Sequence, residues 1–150
     1  MKTSKLDIKK PSSDLNHVKV AVVSTNWNDE IIKPMLEDCL TVLKEYNLAK
    51  KSFVVPGAYE LPFIAKVLCK NYDAIILLGC IIKGKTPHFE IISQSISDKV
   101  LETSLDKNTP IIFGVLTTNN ASEAKERAAY KGSEFAMSAI SILDTLSKLK

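Results

Sequence analysis

The sequence predicts an α/β fold in which a parallel sheet is covered by helices on both faces. Along the 150 residues, short runs of branched apolar residues alternate four times with longer amphipathic stretches. Because the connections are short, this β-α order predicts parallel strands joined by right-handed crossovers. With 45% hydrophobic and 25% charged residues, the chain has the composition of a globular domain that can bury a core.

The N-terminal segment and the cysteines indicate the cellular compartment of such a domain. Residues 1–17 are polar and are predicted to form a flexible arm ahead of one domain over residues 18–150. The arm lacks the apolar stretch of a secretory signal, and no run approaches the ~20 apolar residues that cross a bilayer. Three cysteines in apolar surroundings, without metal-ligand spacing, favour buried thiols in a reducing compartment: Cys39, Cys69 and Cys80. We therefore expect a cytoplasmic protein that does not contact a membrane.

The first two β-α units have clear signals. Residues 18–24, VKVAVVS, form a β-branched run typical of a buried parallel strand. Asn28 is predicted to cap a helix over about 29–46, in which apolar residues recur at helical spacing. The second unit is predicted as a strand at 52–55 and a helix over about 60–70.

The last two units are predicted in the same way. An apolar run gives the third strand, 74–82, and an amphipathic stretch gives the third helix, 88 to about 106. The fourth strand is expected at 111–116. Asn120 and Glu123 then have the spacing of a capping box, so a helix should run from there to the C-terminus, with Gly132 as a candidate break.

The loop after the third strand has the features of an anion site. Thr86 is predicted to cap the third helix, and Pro87 to occupy its first position. The free N–H groups of that turn, with Lys83 and Lys85 nearby, would attract a phosphate. His88 lies in the same turn and can titrate near neutral pH. These features predict chemistry on a small phosphorylated molecule.

Other unusual residues are predicted at the same edge of the sheet. Trp27 follows the first strand and the 58–60 turn follows the second, and four glycines are expected at or just past strand ends: Gly57, Gly79, Gly84 and Gly114. In a parallel α/β sheet this carboxyl edge binds ligands. A nucleic-acid surface is not predicted, because the net charge is only +3 and the basic residues are scattered.

Five segments, in this order and spacing, resemble the lumazine synthase family of riboflavin biosynthesis: NWNDEII (26–32), VPGAYELP (55–62), LLGCIIKGKTPHFE (77–90), PIIFGVLTT (110–118) and SEAKERA (122–128). The resemblance implies a flavodoxin-like three-layer sandwich with a four-stranded parallel sheet in the order 2-1-3-4. It implies condensation of 5-amino-6-ribitylaminouracil with 3,4-dihydroxy-2-butanone 4-phosphate, giving 6,7-dimethyl-8-ribityllumazine, phosphate and water. The family uses no metal and no organic cofactor.

The resemblance also implies roles for individual residues. His88 matches the proton-transfer residue, and Arg127, the only arginine, matches the phosphate clamp. Trp27 matches the aromatic that stacks on the pyrimidine, and Phe113 a ring wall contributed by a neighbouring subunit. The other substrate-binding matches are the ribityl-holding turn Ala58, Tyr59 and Glu60, the strand end Cys80, Ile81 and Ile82 beside the pyrimidine, the phosphate-loop residues Lys85 and Thr86, and Lys131 on the helix of Arg127.

Three departures from the family pattern carry expectations of their own. Lys83 replaces the usual arginine, which keeps the charge but loses a fork of donors. Trp27 replaces the commoner phenylalanine, and its wider ring leads to the hypothesis that riboflavin also binds. Between Arg127 and Lys131 the chain lacks the longer insert of shell-forming members. A homo-oligomer is therefore expected, with a pentamer or decamer favoured over an icosahedral shell.

Each candidate also has a structural alternative. His88 could be an ordinary helix-start histidine and Trp27 a core residue, Arg127 could pair with Glu123 in solvent, and Glu60 could be a carboxylate favoured by the helix dipole. For the whole chain, the alternatives are a non-catalytic flavin- or phosphosugar-binding module of flavodoxin-like fold and a purely structural role. Against the binding module, the first strand does not end in the hydroxyl- and glycine-rich loop of an FMN carrier.

Overall fold

The computed structural model describes residues 8–150 and contains a four-stranded parallel sheet in the order β2-β1-β3-β4. The elements are β1 (Lys19–Thr25), α1 (Asp29–Glu45), β2 (Ala49–Val55), α2 (Leu61–Leu68), β3 (Ala74–Ile82), α3 (His88–Lys107), β4 (Ile111–Thr118) and α4 (Ala121–Lys148). This flavodoxin-like architecture confirms the predicted fold class. Within residues 8–150, no helix has the length and apolar character that a membrane span requires.

Two apolar layers attach the helices to opposite faces of the sheet. On one face α1 and α4 pack together, with Met35 and Ile140 fully buried between them and the strands. On the other face α2 and α3 cover the sheet through Leu61 and Ile96. β3 serves both layers because side chains alternate along a strand, and burying each large apolar side chain stabilises the fold by ~1.5–3 kcal/mol.

The strand bounds differ from the predicted ones where burial is incomplete. β3 has the predicted bounds, because its first seven residues are all buried and form one apolar run. β2 begins at Ala49, three residues before the predicted start, and its first four residues are exposed. β2 is an edge strand, and Lys50 and Lys51 near its start give no apolar pattern from which a strand could be predicted. β4 extends two residues beyond the predicted end, to Thr118.

The prediction that four glycines lie at strand ends is half wrong. Gly57 and Gly84 follow β2 and β3, whereas Gly79 and Gly114 lie inside β3 and β4. A Cβ atom at Gly114 would stand 2.9 Å from a ring carbon of Phe135 on α4. The position therefore has a packing role, because the missing side chain lets α4 approach the sheet closely.

Helix α4 is continuous from Ala121 to Lys148, so the predicted break at Gly132 does not occur. Instead, Gly132 lies where α4 passes closest to α1, and a Cβ atom there would overlap the carbonyl oxygen of Met35. The predicted N-terminus of α4 is confirmed, because Asn120 Oδ1 accepts a hydrogen bond from the Glu123 N–H at 2.9 Å.

The segment ahead of β1 contacts α4 near its C-terminal end. Residues 1–7 of the predicted arm lie outside the described residues. After them, the Ser13 N–H donates to Asp144 Oδ1 at 2.9 Å, and Leu15 is buried in the layer beneath α1 and α4. Hydrogen bonding by Ser13, assisted by Lys148, lowers the pKa of Asp144 to about 2.

Candidate active site

The loop between β1 and α1 is fastened to both neighbouring strands. The Trp27 N–H donates to the carbonyl of Pro56 beyond β2 at 3.0 Å, and Asn28 Nδ2 donates to the carbonyl of Cys80 in β3 at 3.2 Å. Asn28 stands at the predicted cap position, but its backbone is left-handed, with φ 62°, and its side chain does not cap α1. Asparagine tolerates this conformation better than most residues. The loop leaves the Trp27 side chain 73% exposed.

The turn between β2 and α2 is a single 3₁₀ turn, Ala58–Glu60. The Gly57 N–H donates to Glu60 Oε2 at 3.1 Å, and the Glu60 N–H donates back to the Gly57 carbonyl at 3.2 Å. This reciprocal pair fixes the Glu60 carboxylate beside the start of α2. It also directs Tyr59 outward, where the side chain is 68% exposed.

The loop between β3 and α3 differs from the prediction by one residue. Pro87 is the cap residue rather than the first helical residue, and Thr86 does not cap α3. The Pro87 carbonyl accepts the first helical hydrogen bond, from Ile91, at 3.2 Å, and proline has no side-chain acceptor to offer. No side chain therefore caps α3, and the N–H groups of its first turn are available to an anion.

These three loops and the end of β3 surround one cleft of about 830 Å³, within the ~300–1,000 Å³ of typical small-molecule sites. Trp27 and His88 both line it. Nine of the predicted site residues meet there: Trp27, Ala58, Tyr59, Glu60, Cys80, Ile81, Ile82, Thr86 and His88. The lone tryptophan is therefore a cleft residue, and its alternative as a core residue is wrong.

Four predicted residues do not line this cleft: Lys85, Phe113, Arg127 and Lys131. Lys85 is exposed on the loop before α3, and Phe113 packs half-buried in the layer beneath α2 and α3. Arg127 and Lys131 lie on α4, in the layer on the other face of the sheet. Among residues 8–150 no salt bridge joins Arg127 to Glu123, whose carboxylate instead accepts from the Asn119 N–H at 3.1 Å.

Sequence reasoning missed part of the cleft lining. Asn28 was assigned only a capping role, and Ile92 no role in a site, yet both line the cleft. The spacing of Ile92 was informative, because residues four apart on a helix share a face and Ile92 follows His88 by four. Pro56 and Phe89 also line the cleft without having been assigned a role, whereas Gly57 and Gly84 had been predicted at this edge of the sheet.

The chemistry available in the cleft is proton transfer and anion binding. His88 brings an imidazole and Glu60 a carboxyl group, side chains that enzymes use for proton transfer, whereas burial raises the pKa of the Cys80 thiol to about 11 and keeps it uncharged at neutral pH. Lys83 Nζ lies 3.6 Å from Glu90 Oε1, with both side chains about half exposed, so this ion pair is weak and open to exchange. In the described part of the chain, no three metal-ligating side chains come together.

Sequence comparisons with known proteins identify a family. The sequence model of the 6,7-dimethyl-8-ribityllumazine synthase family matches residues 17–147. The chain is 36% identical over 138 residues to the 6,7-dimethyl-8-ribityllumazine synthase of Limosilactobacillus reuteri (strain DSM 20016), covering 89% of this chain and 91% of the relative. The enzymes of the same name from Protochlamydia amoebophila (strain UWE25) and Mycobacterium sp. (strain KMS) are 36% and 35% identical. Those alignments cover 91% and 93% of this chain, and 84% and 92% of the relatives.

Proposed function

Since the chain belongs to the 6,7-dimethyl-8-ribityllumazine synthase family, transferases of riboflavin biosynthesis, we propose that it catalyses the reaction of that name. In this reaction 5-amino-6-ribitylaminouracil condenses with 3,4-dihydroxy-2-butanone 4-phosphate, and phosphate and water leave. One observation carries the proposal: an aromatic ring, a helix N-terminus without a cap and an imidazole line the same cleft. The comparisons give no support to a non-catalytic binding module.

The aminouracil is proposed to lie between Trp27 and the end of β3. The indole is exposed and available for stacking, and the strand segment Cys80–Ile82 lines the same cleft. The ribityl chain would extend along the Ala58–Glu60 turn. There Tyr59 and Glu60 can hydrogen-bond to its hydroxyl groups, and the Gly57–Glu60 pair holds the turn in one shape.

The phosphate is proposed to bind at the N-terminus of α3. The first-turn N–H groups, with Lys85 and Thr86, would hold the oxygens of the butanone phosphate. Lys83 can contribute after exchanging its weak contact with Glu90. Arg127, which is half-exposed on α4, would complete the site as a forked donor.

His88 is proposed to transfer the protons of amine addition, imine formation, phosphate loss and ring closure. The reaction needs little further activation, because an amine and a ketone condense readily and phosphate is a good leaving group. The larger contribution should come from holding two substrates together, worth up to ~7–11 kcal/mol in ideal cases. Acid–base assistance typically adds ~10²–10⁴-fold, and water can partly replace it in an open site.

The site is proposed to be completed by a second copy of the chain in a homo-oligomer. Phe113, Arg127 and Lys131 do not reach the cleft of their own chain. The outer surface of α2 and α3 also exposes large apolar side chains, which favours burial against another copy: Phe63, Val67, Leu101 and Leu105. Because α4 runs unbroken between Arg127 and Lys131, we propose a pentamer or decamer rather than a shell. Light scattering measures this size directly.

The direct test mixes the purified protein with both substrates and follows the fluorescence of the lumazine product. We expect product to form well above the rate of the same mixture without protein, and not to form from a butanone that lacks the phosphate. A rate equal to that of the protein-free mixture contradicts the proposed reaction. If the protein then still bound riboflavin, the non-catalytic flavin module would be the correct function.

A further inference from the structure

Helices α1 and α4 meet at a point where one of them has no side chain. Gly132 lies inside α4, where glycine destabilises a helix by ~1 kcal/mol relative to alanine. A Cβ atom at this position would overlap the carbonyl oxygen of Met35 and lie 3.1 Å from Asp38 Cβ. The two backbones are therefore in contact, and a smooth contact of this kind does not by itself fix how far α4 slides or rotates on α1.

Within residues 8–150, one close polar contact joins the two helices beside this point. Asp38 Oδ2, on α1, accepts a hydrogen bond from the backbone N–H of Ser133 at 2.6 Å, across 95 residues of sequence. A hydrogen bond to a carboxylate is stronger than one between two neutral groups. Among residues 8–150, the other polar link between these helices is Lys125 to Glu30, which is 3.9 Å long and exposed on both sides. Exposed pairs of this kind contribute little.

The contact lies beside the proposed functional residues of α4. Lys131 lies two residues before Ser133, and Arg127 lies six residues before it. On a helix that rises 1.5 Å per residue, these separations are about 3 Å and 9 Å. Lys131 Nζ is itself held by Glu134 Oε2 at 3.0 Å, and the Glu134 side chain is only 14% exposed. At the other end, α1 begins directly after Trp27 and Asn28. Asp38 thus connects the helix that follows the aromatic wall with the helix that carries the phosphate clamp.

We propose that Asp38 is a positioning residue for phosphate binding, through its hydrogen bond to the Ser133 N–H. The bond sets the position of α4 along and around α1, and so the place at which Arg127 meets the phosphate of the substrate. This inference rests on the proposed function, since it assumes that Arg127 binds phosphate. It predicts that losing the bond selectively weakens binding of the phosphorylated substrate. A displaced α4 moves Arg127 but leaves the aminouracil contacts in the cleft unchanged.

The test compares three variants of the full-length protein. Asp38→Ala removes the acceptor, and Asp38→Asn keeps an oxygen that can accept from Ser133. Thr41→Ala is the matched control, because Thr41 lies on the same helix and its hydroxyl donates only to the Glu37 carbonyl of that helix, at 2.8 Å. For each we would measure kcat, the KM of both substrates, the Kd of inorganic phosphate by calorimetry, the melting temperature and the assembly size by light scattering.

We expect Asp38→Ala to raise the KM of the butanone phosphate and the Kd of inorganic phosphate about tenfold, since small displacements of a positioning group have effects of this order or larger. The KM of the aminouracil should change less than about twofold, Asp38→Asn should restore phosphate binding to within about threefold, and Thr41→Ala should match the wild type. A lower melting temperature with unchanged phosphate binding would overturn the proposal. A parallel change in both KM values or loss of assembly would also overturn it. The same holds if Asp38→Asn binds phosphate as weakly as Asp38→Ala.

The outcome is separable from that of the proposed reaction. If the wild-type protein forms no lumazine, the reaction is refuted, whereas phosphate calorimetry on Asp38→Ala and Asp38→Asn still decides the positioning role. If the wild type is active and phosphate binding is the same in all three variants, the reaction stands and the role of Asp38 is refuted.

Discussion

The three loops at the carboxyl edge of the sheet and helix α4 carry the two halves of the proposed site, but only the loops share a cleft within one chain. Trp27, Tyr59 and His88 come from three separate β-α connections and meet because parallel strands end at one edge. Arg127 and Lys131 lie on a helix that packs over the opposite face. The difference shows that this fold gathers loop residues by topology, whereas residues on a covering helix stay outside the cleft of their own chain, so their proposed role requires another copy.

Arg127→Ala should have the largest effect and tests the α4 half. Removing a charge-assisted phosphate contact, worth about 1.5–3 kcal/mol, should lower turnover by about 10–100-fold. We expect this loss to exceed that of His88→Ala, because water can take over part of the proton transfer. Steady-state kinetics on both variants check the ranking, and the reverse order would contradict it.

Co-assembly of Arg127→Ala with His88→Ala chains tests whether two copies share one site. In a random mixture, about a quarter of the shared sites would combine an intact His88 from one chain with an intact Arg127 from its neighbour. Co-expressed mixed oligomers should therefore turn over faster than the mean of the two variants measured separately. Equality with that mean would show that both residues act within one chain.

Gly132→Ala tests how closely α4 must approach α1. The new methyl group would overlap the Met35 carbonyl, a backbone atom that cannot move aside alone, so the free energy of unfolding should fall by about 1–3 kcal/mol despite alanine's better helix propensity. The matched control is Gly84→Ala in the cleft loop, where a Cβ atom meets nothing within 4 Å. Urea unfolding that ranks the two variants equally would refute the close approach.

His88→Ala tests the cleft half of the comparison. Loss of the imidazole should lower kcat about tenfold, while leaving the KM of the butanone phosphate nearly unchanged, because the proposed phosphate contacts are made by the backbone of α3 and by cationic side chains. A rise in KM without a fall in kcat would assign His88 to binding alone.

Trp27→Phe asks whether the exposed indole retains flavin-like rings. The smaller ring removes part of an aromatic contact worth ~0.5–1.5 kcal/mol, so riboflavin should bind about 2–10-fold more weakly, as measured by quenching of its fluorescence. Tyr72→Phe is the control, since Tyr72 does not line this cleft. Absence of riboflavin binding in the wild type would refute the hypothesis.

The smallest effect concerns the anchor of the N-terminal segment on α4. The pKa of Asp144 is lowered to about 2 in the folded protein, so the unfolded chain takes up the proton first as the pH falls. The stabilisation by Asp144 is complete above its ordinary pKa near 4 and is lost between about pH 4 and pH 2. Asp144→Asn should remove that part of the acid-unfolding curve, whereas a curve identical to that of the wild type would show that the anchor contributes nothing.

The parts of the fold that bury apolar residues were predictable, and the parts that depend on contact across the molecule were not. β3 was predicted to the residue because both of its faces are buried. The first residues of the edge strand β2 were not predicted, because the exposed lysines there give no apolar pattern. From the sequence alone, Gly132 is a candidate helix break, and only the close contact with α1 explains why glycine occurs there.

The site divides in the same way. The positions of Trp27 and His88 followed from the rule that parallel strands end together, which needs only the element order. The bond from Asn28 to the Cys80 carbonyl and that from Asp38 to Ser133 join residues 52 and 95 apart, and neither has a local signature. Thr86 was predicted as a cap because its residue type is right, but the cap position is one residue later, at Pro87.

The buried thiol in the cleft wall has a practical consequence. Cys80 is only 6% exposed and its pKa is raised to about 11, so reagents that attack thiolates meet almost none at neutral pH. Alkylating agents and mild oxidants should therefore leave the pyrimidine side of the cleft chemically intact. Inhibitors aimed at this cleft would have to rely on reversible contacts, because its one sulfur is a poor target for an electrophilic warhead.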